Sequence, residues 1–312
     1  MSDSKFCISL EDIQQAAVRI SDEVLQTPLL TSESLSRQMD ADLWFKCENL
    51  QHGGAFKARG AGNAVLSLTP TEAARGVIAH SSGNHAAALA RAASRRGLKC
   101  RIVMPHNSAA VKIAAVRSHG VEPDFCEPTA QARQAMTDQL AAETGATFIH
   151  PYNDCRVIAG QGTAALELLR QAGRVDDVIV PVGGGGLLSG TLVALKALNP
   201  EIRVYGAEPE WADDAFRSLR SGSIQPPLRY DTLADGLRTP LGNLTFPIIR
   251  ELVDDILTVN EDGIRDAAVT IRTHLRVIAE PSGAVPLAAA RQYLDRFRQR
   301  RVVLVISGGN TG

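Results

Sequence analysis

His52-Gly53-Gly54-Ala55-Phe56-Lys57-Ala58-Arg59-Gly60-Ala61 sets a lysine behind a Gly-Gly turn, beside an aromatic ring, at the start of a helix expected over 56–67. Partial burial and a helix N-terminus both lower an amine pKa, and a neutral amine can form a Schiff base with a carbonyl compound. The ordinary alternative for a single lysine is a surface side chain snorkelling off its helix. Three further stretches bear on the choice. Ser81-Ser82-Gly83-Asn84-His85, Val182-Gly183-Gly184-Gly185-Gly186-Leu187 and Ser307-Gly308-Gly309-Asn310 each stand where an apolar strand gives way to a loop or helix.

Outward from the lysine, strands and helices alternate. Strands are expected at 43–47, 76–80, 100–104, 123–126, 147–150, 177–182, 203–207, 254–259 and 301–306, with helices between most of them. Such alternation implies βαβ units and parallel sheets covered on both faces. Ser9-Leu10-Glu11-Asp12 has the form of a capping box, followed by Ile13, Ala17, Ile20 and Val24 on one helical face. Residues 221–239, with Gly222 and Gln225-Pro226-Pro227, form an irregular break.

The 312 residues call for one large domain or two intertwined ones. Hydrophobic and charged contents of 45% and 21% are ordinary for a globular protein, and a formal charge of −1 gives no footing for nucleic acid or membrane partners. No apolar run is long enough to span a bilayer, and Met1-Ser2-Asp3-Ser4-Lys5 lacks the apolar core of a signal peptide. Five scattered cysteines without CxxC spacing speak against zinc or a disulfide framework, so a reducing cytosol is the expected compartment.

Four consecutive glycines between an apolar strand and a helix suit an anion site, because backbone N–H groups can converge on one phosphate at a helix N-terminus. A plain tight turn is the alternative. Two rival nucleotide motifs fail: Leu188, or Ser189 in the next register, occupies the third glycine of G-x-G-x-x-G, and no Gly-Lys-Ser/Thr exists. Ser307 would project from the C-terminal edge of its sheet, or else satisfy a turn backbone. In Glu208-Pro209-Glu210-Trp211-Ala212-Asp213-Asp214, carboxylates could supply oxygen ligands to Mg²⁺ or Ca²⁺, or an acidic helix start.

In order and context, the four stretches resemble the fold-type II pyridoxal-phosphate enzymes, in the branch of serine/threonine ammonia-lyases (dehydratases) and serine racemase. The similarity runs from about Thr27 to the C-terminus. It implies a tryptophan synthase β-like α/β architecture of two parallel-sheet, three-layer domains. A small domain of residues 53–148 would be inserted in a large cofactor-binding domain, 1–52 and 149–312, with the cofactor in the cleft. The resemblance further implies that Lys57 binds pyridoxal phosphate and removes the substrate Cα proton. Gly183, Gly184, Gly185 and Gly186 would hold the phosphate, Ser307 the pyridine nitrogen and Asn84 the ring oxygen, with Phe56 packed beside the ring. Ser81 and His85 would receive the substrate carboxylate, and Ser82 would face the substrate from the side opposite the lysine. Arg133 and the 234–239 loop are candidates for the substrate side chain, with exposed salt bridges as the alternative. Glu208, the Ala212 carbonyl and Asp214 are similar to the cation site of serine racemases.

The expected reaction converts serine, threonine or 3-hydroxyaspartate to a 2-oxo acid and ammonia. Serine racemisation is the alternative within the family, and a dinucleotide oxidoreductase the alternative outside it. Ala55, where many relatives carry serine, and Ala86-Ala87, in place of Gly-Gln, bear on substrate preference. Relatives in the resembling family are commonly dimers, so a homodimer is expected, and with the chain stopping soon after Ser307 no C-terminal regulatory domain is expected.

Overall fold

The computed structural model describes residues 5–311; Met1–Ser4 and Gly312, and with them most of the stretch read above for a signal peptide, lie outside the described residues. Among the described residues, ten strands form two sheets. The larger holds β1 (Leu29–Thr31), β2 (Asp42–Cys47), β7 (Asp177–Pro181), β8 (Arg203–Pro209), β9 (Asp255–Val259) and β10 (Arg301–Ile306) in the order β1-β2-β10-β7-β8-β9. The smaller holds β3 (Val77–His80), β4 (Cys100–Pro105), β5 (Asp124–Cys126) and β6 (Thr147–Phe148) in the order β5-β4-β3-β6. All pairings of these strands are parallel except that of β1, which runs antiparallel to β2 at one edge.

Central strands such as Val178–Val180 and Val302–Ile306 are buried along their length, as strands covered by helices on both faces must be. Close helix contacts rest on glycine. A Cβ on Gly190 would lie 2.5 Å from the Ile158 carbonyl oxygen, and one on Gly160 would lie 2.6 Å from that of Arg59. These two contacts bring the helices Gly186–Leu198 and Lys57–Leu66 tightly onto the long Cys155–Ala172 helix. Among the described residues no helix is long and apolar enough to cross a membrane.

The N-terminal capping box forms at Ser9, but its helix ends at Arg19 and buries Ile13 and Ala16 rather than Ala17. The long helix starts at Cys155, four residues before the expected Ala159, because Asp154 accepts a bond from the Arg156 N–H and caps it. Helices Glu33–Met39, Pro70–Arg75 and Thr245–Leu252 are not among those expected from the sequence, whereas Asp214–Ser221 begins at the acidic helix start allowed for above. What matters for the site is where strands end. β2, β3, β7, β8 and β10 deliver the four motifs and the acidic stretch at their C-terminal ends, the usual ligand edge of open parallel sheets.

Candidate active site

The lysine loop is stitched to the C-terminal motif. β10 pairs with β2 up to Ile306 opposite Cys47. Beyond that register, Phe56 N–H donates to the Ser307 carbonyl at 3.0 Å and Gly309 N–H to that of Gly54 at 2.9 Å. Gly53 and Gly54 both adopt left-handed φ, 68° and 70°, which turns the chain back toward the sheet. Lys57, the first residue of its helix, donates from Nζ to the Pro151 carbonyl at 2.7 Å, with Nζ 4.9 Å from the Phe56 ring centre. Burial lowers its pKa to about 8, opposed by the Glu280 charge. About a tenth of the amine is therefore neutral at pH 7, far more than for an ordinary lysine.

At the glycine loop, protein packing demands glycine at Gly184 and Gly185 and leaves little room at Gly183 and Gly186. A Cβ on Gly183 would lie 3.0 Å from Leu237 Cα, on Gly184 2.3 Å from the Tyr152 ring, on Gly185 2.7 Å from Ile249 and on Gly186 3.0 Å from Tyr152 Cβ. The loop leads into the Gly186–Leu198 helix, which carries no side-chain cap, so its first N–H groups are free for an anion. A cradle closed to side chains and ending in free donors fits a phosphate.

Ser81, Ser82 and Gly83 connect β3 to the Asn84–Arg95 helix, also without a side-chain cap. Gly83 N–H donates to Ser81 Oγ at 3.2 Å, and the half-buried Ser82 hydroxyl bonds none of the described residues. Asn84 is held at both ends of its amide. Its Nδ2 donates to the Glu280 carboxylate at 3.0 and 3.2 Å, and its Oδ1 accepts from Asn310 Nδ2 at 2.9 Å. This fixes the amide, leaving the second Nδ2 hydrogen to point elsewhere. His85 is buried, and its Nε2 faces the Ile149 carbonyl at 3.0 Å, so Nε2 carries the proton. Burial and Lys57 push its pKa down to about 3, so it offers no positive charge to a carboxylate.

Arg133 stands in the first turn of the Ala130–Thr144 helix with its charge felt at His80 and Cys126, and its buried Nε has no hydrogen-bond partner. The acidic stretch folds into a short turn, Glu210–Ala212, and the Asp214–Ser221 helix. Glu208 accepts from the N–H groups of Ala215 and Phe216 at 3.2 and 2.6 Å. Neither Asp214 carboxylate oxygen has a partner, and Ala212 is buried beside them. Among the described residues no group of three or more His, Cys, Asp or Glu could hold a metal, so a cation here would need the backbone carbonyl and water as well.

Three participants escape a reading of the sequence, Pro151, Tyr152 and Glu280, while Asn310 stands in the quoted C-terminal motif without an assigned role. The lysine's acceptor is a main-chain carbonyl, which no side-chain pattern reveals. Tyr152 walls the glycine loop and makes an edge contact with His150 at 4.5 Å between ring centres. Glu280 has one readable signal, an acidic residue directly before Pro281-Ser282-Gly283 at a helix start.

A family model described as pyridoxal-phosphate dependent enzyme matches residues 20–308. The chain is 47% identical over 300 residues to a beta-hydroxyaspartate dehydratase of Paracoccus denitrificans (96% of this chain, 95% of that protein). It is 45% identical over 307 residues to a serine racemase of Dictyostelium discoideum (97% and 95%). The solved structure of a serine racemase from that organism superposes with a TM-score of 0.94, covering 98% of this chain and 99% of the other. A threonine deaminase from T.th. superposes at 0.93 with 45% identity and the same coverage. With the lysine, the glycine cradle and the serine at the end of β10 along one sheet edge, and a family match across almost the whole chain, this protein belongs to the pyridoxal-phosphate dependent enzymes.

Proposed function

We propose that the enzyme removes the β-hydroxyl of a small amino acid, serine, threonine or 3-hydroxyaspartate, to give ammonia and a 2-oxo acid. Bound pyridoxal phosphate supplies an electron sink for the substrate Cα. Lys57 carries the proposal. Its amine, near pKa 8 and aimed by the Pro151 carbonyl, can hold the cofactor and then take the Cα proton. Gly183 to Gly186 orient the phosphate through their N–H groups. Asn84, fixed by Glu280 and Asn310, directs its remaining amide hydrogen to the ring oxygen. Ser307, a hydroxyl rather than a carboxylate, meets the ring nitrogen without enforcing a charge there. The uncapped Asn84 helix, with Ser81, receives the substrate carboxylate.

Lys57→Ala should reduce 2-oxo acid release by more than about a thousandfold while the circular dichroism spectrum stays unchanged. A substrate panel scored for 2-oxo acid names the preferred β-hydroxy amino acid. Turnover surviving the substitution would remove the assignment.

Serine racemisation is the second reading, favoured by the free Ser82 hydroxyl. Elimination from the L-isomer needs only Lys57, whereas racemisation needs a proton delivered to the opposite face. Ser82→Ala should lower L-to-D conversion and D-isomer elimination at least about tenfold more than L-isomer elimination. A common factor for all three reactions makes Ser82 a positioning residue only.

The partnerless Asp214 oxygens beside Glu208 support Mg²⁺ or Ca²⁺ held by Glu208, the Ala212 carbonyl and Asp214, completed by water. Residues 53–148 serve as the smaller, inserted domain of this proposal. Leu25, Leu50 and Ile278 are exposed on segments tied together by Gln51 and Asn49, an apolar patch that supports a homodimer.

A further inference from the structure

Lys57 Nζ donates to the Pro151 carbonyl at 2.7 Å, so whatever fixes that carbonyl aims the amine. The carbonyl shares one trans peptide group with the Tyr152 N–H. That N–H donates to His150 Nδ1 at 3.3 Å, and the next one, of Asn153, donates to the same nitrogen at 2.9 Å. Imidazole and lysine therefore hold opposite ends of a single amide. A ring nitrogen that accepts N–H groups carries no proton, so the His150 proton sits on Nε2. Burial, then His80 and Lys57, push the pKa of His150 down to about 4, which keeps the ring neutral and Nδ1 an acceptor near neutral pH.

The ring is itself held. It meets Tyr152, Phe148 and His80 edge-on, at 4.5, 5.8 and 6.2 Å between ring centres, and His80 stacks on Phe148 at 5.3 Å. His80 and Phe148 end β3 and β6, so the smaller sheet sets the tilt of the imidazole. On its other side the 151–153 turn reaches loops of the larger sheet. Tyr152 lies against Gly184 and Gly186, and Asn153 Oδ1 accepts from the Leu244 N–H at 2.9 Å. One short turn thus touches both the lysine and the glycine loop, and His150 closes it from inside.

We propose that His150 is a positioning residue for Lys57: its unprotonated Nδ1 gathers the Tyr152 and Asn153 N–H groups and so turns the Pro151 carbonyl onto the lysine amine. An amide whose N–H is bonded is also a stronger acceptor at its oxygen, because hydrogen bonds in a chain polarise one another. Misplacing a reacting group by about 1 Å can cost on the order of a hundredfold in rate. The acceptor atom, rather than the ring, carries the effect, and in this role His150 neither takes nor gives a proton. The inference rests on Lys57 being the working amine, a reading that Lys57→Ala tests by itself.

Two substitutions separate the atom from the ring. His150→Phe keeps an aromatic ring for Phe148, Tyr152 and His80 but puts carbon where Nδ1 accepts. His150→Asn loses the ring and keeps an acceptor oxygen at that place. In the holoenzyme, His150→Phe should lower kcat for 2-oxo acid release at least about tenfold with KM within about twofold, and His150→Asn should keep at least about a third of kcat. Two further readouts need neither cofactor nor substrate, so they decide even if the proposed reaction is wrong. The first is the pH profile of Lys57 reductive methylation in the cofactor-free enzyme, followed by peptide mass spectrometry. A carbonyl bonded to the ammonium favours the charged form, so the profile should move down by at least about half a pH unit in His150→Phe and by less than about 0.2 unit in His150→Asn. The second is nitrogen NMR of the unsubstituted cofactor-free enzyme, which should show His150 Nδ1 bare and Nε2 protonated at neutral pH. The inference is overturned if Nδ1 carries the proton, if His150→Phe keeps kcat or its Lys57 profile fails to move down, or if His150→Asn falls as far as His150→Phe. The nitrogen spectrum stands even if a variant misfolds.

Discussion

Two clusters of buried carboxylates respond to burial in opposite ways. Glu48 is 0% exposed, and Glu208 and Asp214 are each 1% exposed. Burial alone pushes the Glu48 carboxyl up, but Arg59, bonded to it at 2.7 and 2.8 Å, then Lys46 and Thr27, hold it below its ordinary value. Arg59 also grips Glu167 at 2.7 and 2.8 Å, and Lys46 completes the set at 2.6 Å, so two carboxylates face two cations. Glu208 is bonded only by backbone N–H groups, and Asp214, whose carboxylate oxygens are partnerless, has no bonded cation to oppose its rise, the charge of Arg217 acting from further off. Burial, and for Glu208 the neighbouring Asp214, raises both, Asp214 to about 7. Depth is the same; the charge balance differs. The first cluster is complete within the chain and holds the Lys57 helix, whereas the second, on the proposal above, is completed by a cation from solution.

The largest effect should come from unbalancing the complete cluster. Arg59→Met leaves Glu48 and Glu167 facing Lys46 alone, and breaking a buried pair from one side costs about 3–5 kcal/mol. Urea denaturation of both proteins measures it. A loss below about 1 kcal/mol would mean that the network contributes no more than a surface ion pair.

A smaller effect should follow from completing the other cluster. A ligand present at about a hundred times its Kd stabilises the native state by about 2.7 kcal/mol. Mg²⁺ or Ca²⁺ added to the chelator-treated enzyme should therefore raise Tm by a few degrees. The Glu208→Ala, Asp214→Ala double variant should show no rise. An equal response in both proteins excludes these residues as ligands.

The same contrast marks what is legible in the chain. Lys57, the glycine run and Ser307 sit in short local motifs at strand ends, so their place along one sheet edge is legible, while their proposed roles come from the family resemblance. The glycines mislead in one respect: Tyr152 and Ile249 behind the loop exclude side chains at Gly184 and Gly185, independently of any phosphate. Arg59 reads as one more charge on a helix, and its partners Glu48 and Glu167 lie 11 and 108 residues away. Pairing across such distances is a product of the fold, with no trace in local pattern. Glu280 is hidden for the same reason, 196 residues from Asn84.

Glu280 is the intermediate case, a buried carboxylate met by neutral donors only, and it should give the shallowest effect. Burial raises its pKa from 4.5 to about 7, and the bonds from Asn84 and Asn310 only partly oppose the rise. The folded chain therefore keeps a proton that the unfolded chain releases above pH 4.5. Its contribution to stability is complete below that pH and is lost as pH rises through about 7, with a slope of at most about 1.4 kcal/mol per pH unit. His85 acts in the opposite sense. Its pKa falls from 6.5 to about 3, so the unfolded chain binds the extra proton between these values and stability rises with pH there. The unmodified profile mixes the two, and Glu280→Gln separates them. The difference in unfolding free energy, cofactor-free wild type minus Glu280→Gln, should decline by on the order of 1–2 kcal/mol across the window while the variant keeps the rise due to His85. Denaturant titrations at half-unit steps of pH measure it. A flat difference would mean that Glu280 is ionised at its ordinary pH and that the two amides balance it as fully as Arg59 balances Glu48.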